Sequence, residues 1–118
     1  MPENHILKEC IRICWECRDT CQDTLYNHIL ERGEDHIDAR NIKLLTDCIQ
    51  ICQLTADAMR RNSELHDKIC QLCGEICALC AESCEQMGKK HTYIQKCAEI
   101  CRRCADSCGQ MGKMRKAA

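Results

Sequence analysis

Cysteines recur in this chain at gaps of three and four residues, and that spacing leaves few folds open. Cys10, Cys14, Cys17 and Cys21 form one run; Cys70, Cys73, Cys77, Cys80 and Cys84 form a second; Cys97, Cys101, Cys104 and Cys108 form a third; Cys48 and Cys52 make a shorter pair between them. On an α-helix, steps of four and three residues turn about +40° and about −60°, so an alternating series keeps to one narrow stripe and drifts about 20° per heptad. No strand-like alternation competes with this pattern. Fifteen cysteines among 118 residues therefore line the stripes on which a helical bundle ordinarily carries leucine.

The flanking residues divide the chain into four such helices. Pro2 and Asn4 suit a first turn, and apolar or cysteine positions carry the first helix to about residue 31, with Gly33 as its stop. Glu34 and Asp35 open a second helix over about 35–61, with Ile42, Leu45, Cys48, Ile49, Cys52 and Met59 inward and Asn62-Ser63 capping the third. That third helix runs over 64–87 and ends at Gly88. Thr92, with Gln95 three residues on, predicts a capping box for a fourth that reaches about 112. Residues 75–89 match residues 99–113 at 11 of 15 positions, so the last two helices are versions of one unit. Short connections between long amphipathic helices predict an all-α, antiparallel up-down-up-down four-helix bundle with a cysteine-lined core, one domain over residues 1–118.

Composition narrows the function. Phe is absent and only Trp15, Tyr26 and Tyr93 supply rings, so smaller side chains must fill the interior. A net charge of −1 argues against nucleic acid or an anionic membrane surface as partner. Lys113, Arg115 and Lys116 read as a solvated tail. With no basic segment leading into an apolar run at the N-terminus, and no apolar stretch of about 18 residues, the expected location is the cytoplasm, where thiols stay reduced. A cysteine with a histidine nearby is unavoidable at this composition, so no enzyme is predicted.

A single cysteine on an apolar stripe is usually core filler. Matching stripes on several helices are not, because Leu and Ile would bury more area at the same positions. Cysteines four apart on a helix can turn their sulfurs onto one ion, and soft thiolates select Cu(I), zinc or iron–sulfur clusters. Zinc and iron–sulfur sites generally draw their ligands from turns and loops that wrap the metal, whereas Cu(I) accepts two or three thiolates along a straight ladder. Burying bare thiolates is costly, and one monovalent ion per thiolate cancels the charge, which predicts of order ten to fifteen Cu(I) per chain. A zinc buffer or structural zinc protein and an iron–sulfur electron carrier remain as alternatives. A disulfide-built module is disfavoured because same-face cysteines four apart have near-parallel Cβ vectors.

The C-x3-C-x2-C-x3-C runs at Cys10–Cys21 and Cys97–Cys108, the extended run at Cys70–Cys84 and the Gln-Met-Gly endings at Met87 and Met111 resemble the copper storage proteins across essentially the whole chain. The resemblance implies a four-helix bundle storing many Cu(I) ions on its thiols, with all fifteen cysteines as metal ligands, and a homo-oligomer, commonly a tetramer, of the cytosolic branch. It also implies a metal-admitting mouth near the turn between the third and fourth helices. There the sequence offers His28, His36, Met87 and His91; the opposite end gathers His5, Met59, His66, Met111 and Met114. Ile11 and Trp15, off the sulfur stripe, are candidates for an oligomer contact. The second helix, with only Cys48 and Cys52, departs from the pattern.

Overall fold

The computed structural model describes residues 2–33 and 38–117, with side chains over 5–33 and 38–114. Helix α1 (Pro2–Asp23) continues through a π-helical segment, Thr24–Ile29, and a last α turn, Leu30–Arg32. At 1.5 Å per residue this rod spans about 46 Å, matching the long dimension of a 47 × 21 × 19 Å molecule. It ends at Gly33, whose φ of +82° is a conformation that glycine adopts without steric cost.

Helix α2 (Ala39–Arg60) starts at Asp38, whose side chain accepts a hydrogen bond from the Asn41 N–H at 3.0 Å. The expected opening at Glu34 and Asp35 lies outside the described residues, as does His36. Asn62, at φ +51°, closes α2: its N–H bonds the Met59 carbonyl at 3.2 Å, and the Ser63 N–H bonds the Ala58 carbonyl at 2.9 Å. These two bonds are the double closure of a Schellman end, with Asn in place of the more usual Gly. Asn62 thus ends one helix, and only Ser63 serves the next, its Oγ accepting from the Leu65 N–H at 3.2 Å.

Helix α3 (His66–Gly88) is followed by a 3₁₀ turn, Thr92–Ile94, and by α4 (Gln95–Ala117). The capping box expected at Thr92 and Gln95 is not formed. The 3₁₀ turn displaces Gln95 from the third helical position, and its Nε2 reaches back to the Gly88 carbonyl at 3.4 Å, tying off the end of α3.

The helices pack in a ring, α1 on α2, α2 on α3, α3 on α4 and α4 on α1. Pairs such as Cys10 with Cys108 and Cys21 with Cys97 run in opposite sequence directions, giving the antiparallel bundle. On α2 the inward stripe is Asn41, Leu45, Cys48, Cys52 and Met59; Ile42 and Ile49, expected inward, are half-buried. Among the described residues no helix is long and apolar enough to cross a membrane.

Candidate metal centre

Every one of the fifteen cysteines is buried, and each is a free thiol. Three stripes and the α2 pair converge on the bundle axis because their four-three spacing keeps each stripe facing its neighbours. Sγ–Sγ separations across helices are 3.4 Å for Cys14–Cys108 and for Cys21–Cys101, 3.5 Å for Cys73–Cys108, 3.6 Å for Cys48–Cys77 and 3.7 Å for Cys17–Cys48. Bonds of about 2.05 Å would mark cystines; these are contacts between thiols.

The contacts form one continuous column. Cys14, Cys73, Cys104 and Cys108 lie with all four Sγ atoms within 4.8 Å of one another; so do Cys17, Cys52, Cys77 and Cys104, and so do Cys17, Cys21, Cys48 and Cys101. Cys104 belongs to the first two groups and Cys17 to the last two, so neighbouring groups share a sulfur. Cys10, Cys80 and Cys97 join through Cys108, Cys101 and Cys21. Cys70 and Cys84 stand at opposite ends and belong to none of the three groups; the Cys84 thiol is raised by its neighbours Cys80 and Cys97.

This geometry separates the candidate metals. Sulfurs so close leave space for single ions rather than for a cluster carrying its own sulfides. Three divalent ions, one per group, would neutralise six of the ten thiolates the groups contain and strand the rest in a low-dielectric core. Monovalent ions bridged by shared sulfurs balance charge without remainder.

Thiol acidity reflects the same crowding. Burial pushes Cys70 up to about 12. Cys10 is held down to about 4 by hydrogen bonds from Cys108 and Cys14, whose own thiols are raised in turn by the bond to Cys10. The Cys10 thiolate is thus solvated by neighbouring S–H groups, and the same mixture of lowered and raised thiols runs along the column, with Cys17 and Cys97 lowered and Cys21 and Cys101 raised.

The two ends differ. At the end of α1, Tyr93 sits between His28 and His91, with ring centroids 5.1 and 5.8 Å apart, and the Arg32 guanidinium lies 4.8 Å from its ring centroid. The π segment causes this arrangement. Continued from Cys21, the four-three stripe would turn His28 inward, but the extra residue in the π turn buries Ile29 instead. His28, His91 and Met87 are half-buried there, while Leu25, Ile29 and Ile94 complete the core. At the other end Met59, Met111 and His66 are buried alongside the column's last cysteines, Cys10 and Cys70; His5 and Met114 are exposed. Ile11 and Trp15 are half-buried against the core, Trp15 beneath the Arg18 guanidinium at 4.1 Å.

A helical bundle whose axis is an unbroken column of reduced thiols is a container for soft metal ions. The chain belongs to the copper storage protein family, which it matches over residues 3–113, and its function is copper storage. It is 36% identical to the Nmul_A1745 protein of Nitrosospira multiformis, with a TM-score of 0.86 over 94% of this chain and 98% of that one. It is 32% identical to the Cu(I)-bound copper storage protein BsCsp3, with a TM-score of 0.84 over 91% and 98%. An uncharacterized cysteine-rich protein of Bacillus subtilis, YhjQ, is 35% identical over 66 residues, a match that spans 56% of this chain and 60% of YhjQ.

Proposed function

We propose that the chain stores Cu(I) along the whole column, with all fifteen cysteines as ligands in a single domain and a capacity of order ten to fifteen ions, one per thiolate. The observation that carries this reading is the sharing of Cys17 and Cys104 between adjacent four-sulfur groups, which suits bridged monovalent ions and leaves isolated divalent sites short of charge. Anaerobic titration of the reduced protein with Cu(I) against a competing chelator, then with zinc, tests it. Saturation near ten ions or more is expected; saturation at one or two, or a preference for zinc, overturns it.

Copper ingress has two readings. His28, Met87 and His91 stand at the end where the family resemblance implies a mouth; His36, expected there as well, lies outside the described residues. The opposite end is favoured by its buried soft donors: Met59, Met111 and His66 are buried there, His66 four residues before Cys70 and Met111 three after Cys108, whereas Ile29 and Ile94 are fully buried at the His28 end. Thioether and imidazole hold Cu(I) less firmly than thiolate and suit transfer inward.

The reduced state of every cysteine supports a cytoplasmic location. A homo-oligomer, the tetramer of the family resemblance, is supported by a ridge along the outer face of α3 and its N-cap residue Leu65. Leu65, Leu72 and Leu79 recur every seven residues at 52%, 47% and 44% exposure. A second copy laid antiparallel about a two-fold axis at Leu72 sets Leu65 against its Leu79, and brings exposed Lys68 beside its Glu75.

A further inference from the structure

Helix α2 repeats the spacing of the thiol stripes with different chemistry at two places. Residues 41, 45, 48 and 52 step by four, three and four, as do Cys10–Cys21 and Cys97–Cys108, yet the first two are Asn41 and Leu45. Both are fully buried. Asn41 therefore stands where a sulfur would continue the column. Its Nδ2 donates to Ser83 Oγ at 2.8 Å and to Cys84 Sγ at 3.7 Å, and its Oδ1 is buried with no hydrogen-bond partner among the described residues.

Packing does not account for this residue. A buried amide with an unsatisfied oxygen destabilises a fold, and an aliphatic side chain such as the neighbouring Leu45 fills such a space without that penalty. Cys84 is the matching anomaly. It is a column cysteine outside the three four-sulfur groups, and the last group before it ends at Cys21, Cys48 and Cys101.

Resting on the Cu(I) storage reading above, we propose that Asn41 closes the copper column at this end, as the positioning residue that holds the Cys84 thiolate. When Cu(I) binds, the Cys84 S–H bond breaks, its proton leaves to solvent and a Cu–S bond forms, with no electron transferred. The Asn41 N–H then takes the outer lone pair that an interior thiolate would give to a second copper. Cys84 carries copper on its inner side only, and the ion it holds is terminal rather than bridged on both sides.

The test is a double-mutant cycle read by anaerobic Cu(I) titration against a chromophoric chelator, using Asn41→Leu, Cys84→Ser and the pair, with Asn41→Cys as an independent variant. Asn41→Leu is expected to keep or raise the melting temperature of the metal-free protein. It should hold its weakest copper about ten- to a hundredfold less tightly, the usual loss when an outer-shell partner is removed. In the Cys84→Ser background the same change should add nothing, and Asn41→Cys should take up about one more Cu(I). A copper isotherm for Asn41→Leu identical to the parent, losses that add with Cys84→Ser, or an unchanged capacity in Asn41→Cys overturns the proposal. A parent protein that saturates at one or two ions overturns the storage reading, and this proposal with it; a parent that loads many ions while the cycle is additive overturns this proposal alone.

Discussion

Cys14 and Cys108, 94 residues apart in the chain, bring their Sγ atoms to 3.4 Å on the bundle axis without a bond between them. Such cross-helix pairs divide the column into shared and unshared sulfurs, and the two kinds should respond differently to substitution. Cys17 and Cys104 each serve two four-sulfur groups, so Cys17→Ser or Cys104→Ser should lower Cu(I) capacity by about two ions, whereas Cys70→Ser should lower it by about one. Equal losses at all three positions, measured by anaerobic titration with far-UV circular dichroism as a folding control, would mean that the sulfurs act as independent ligands.

The metal-free bundle should weaken in alkali. Burial raises the Cys70 thiol from an ordinary value of 9.0 to about 12, so between those limits the folded chain keeps a proton that the unfolded chain has lost. Stability then falls as pH rises. The contribution is fully present below about 9 and is lost by about 12. Cys10, held down to about 4, is ionised in both states above 9 and adds no slope there. Urea midpoints under reducing, metal-free conditions should therefore drop from pH 8 to pH 10.5, and Cys70→Ala should make that drop smaller without abolishing it, because Cys14 and Cys108 are raised as well.

The helices and the identity of the inward sulfurs are legible in the sequence because four-three spacing is a backbone property, and any right-handed helix places those residues on one side. The ends are less so. Nothing local marks the π turn at Thr24–Ile29, which answers the packing of Leu25 and Ile29 against the core and moves His28 off the stripe. Thr92 and Gln95 satisfy a capping pattern, yet a 3₁₀ turn claims the same residues. Asn41 is hidden behind Ile42, because polarity suggests an outward side chain. The Leu65–Leu72–Leu79 ridge is masked by the cysteine stripe of the same helix, beside which apolar residues read as core.

That ridge gives a direct test of assembly. Three leucines half-exposed at seven-residue spacing form a seam without a partner inside the bundle, and a charge at its centre would face its own copy across the two-fold axis. Leu72→Glu should shift the protein to monomer in sedimentation equilibrium while leaving its helicity and Cu(I) capacity intact. Lys68→Glu alone should weaken association, and adding Glu75→Lys should restore it. An oligomer indifferent to all three changes would place the interface elsewhere.

Close approach of α3 and α4 makes a final contrast between two glycines, one turned toward the neighbouring helix and one turned away from it. A Cβ on Gly74 would lie 3.3 Å from both the Ala105 carbonyl oxygen and the Gly109 backbone nitrogen, whereas one on Gly109 would meet nothing within 4 Å. Backbone atoms cannot turn aside as a flexible side chain can, so Gly74→Ala must spread the two helices that carry nine of the cysteines between them. The cost should be about 1–3 kcal/mol, read as a lower melting temperature of the metal-free protein. Spreading should also lengthen the Cys73–Cys108 contact, now 3.5 Å, so the Cu(I) held there should be surrendered to a chelator more readily. Gly109→Ala gains helix propensity in open space and should stabilise by about 0.5–1 kcal/mol. If both alanines behave alike, the close contact does not govern this pair of helices, and the spacing of the sulfurs is set by the cysteines themselves.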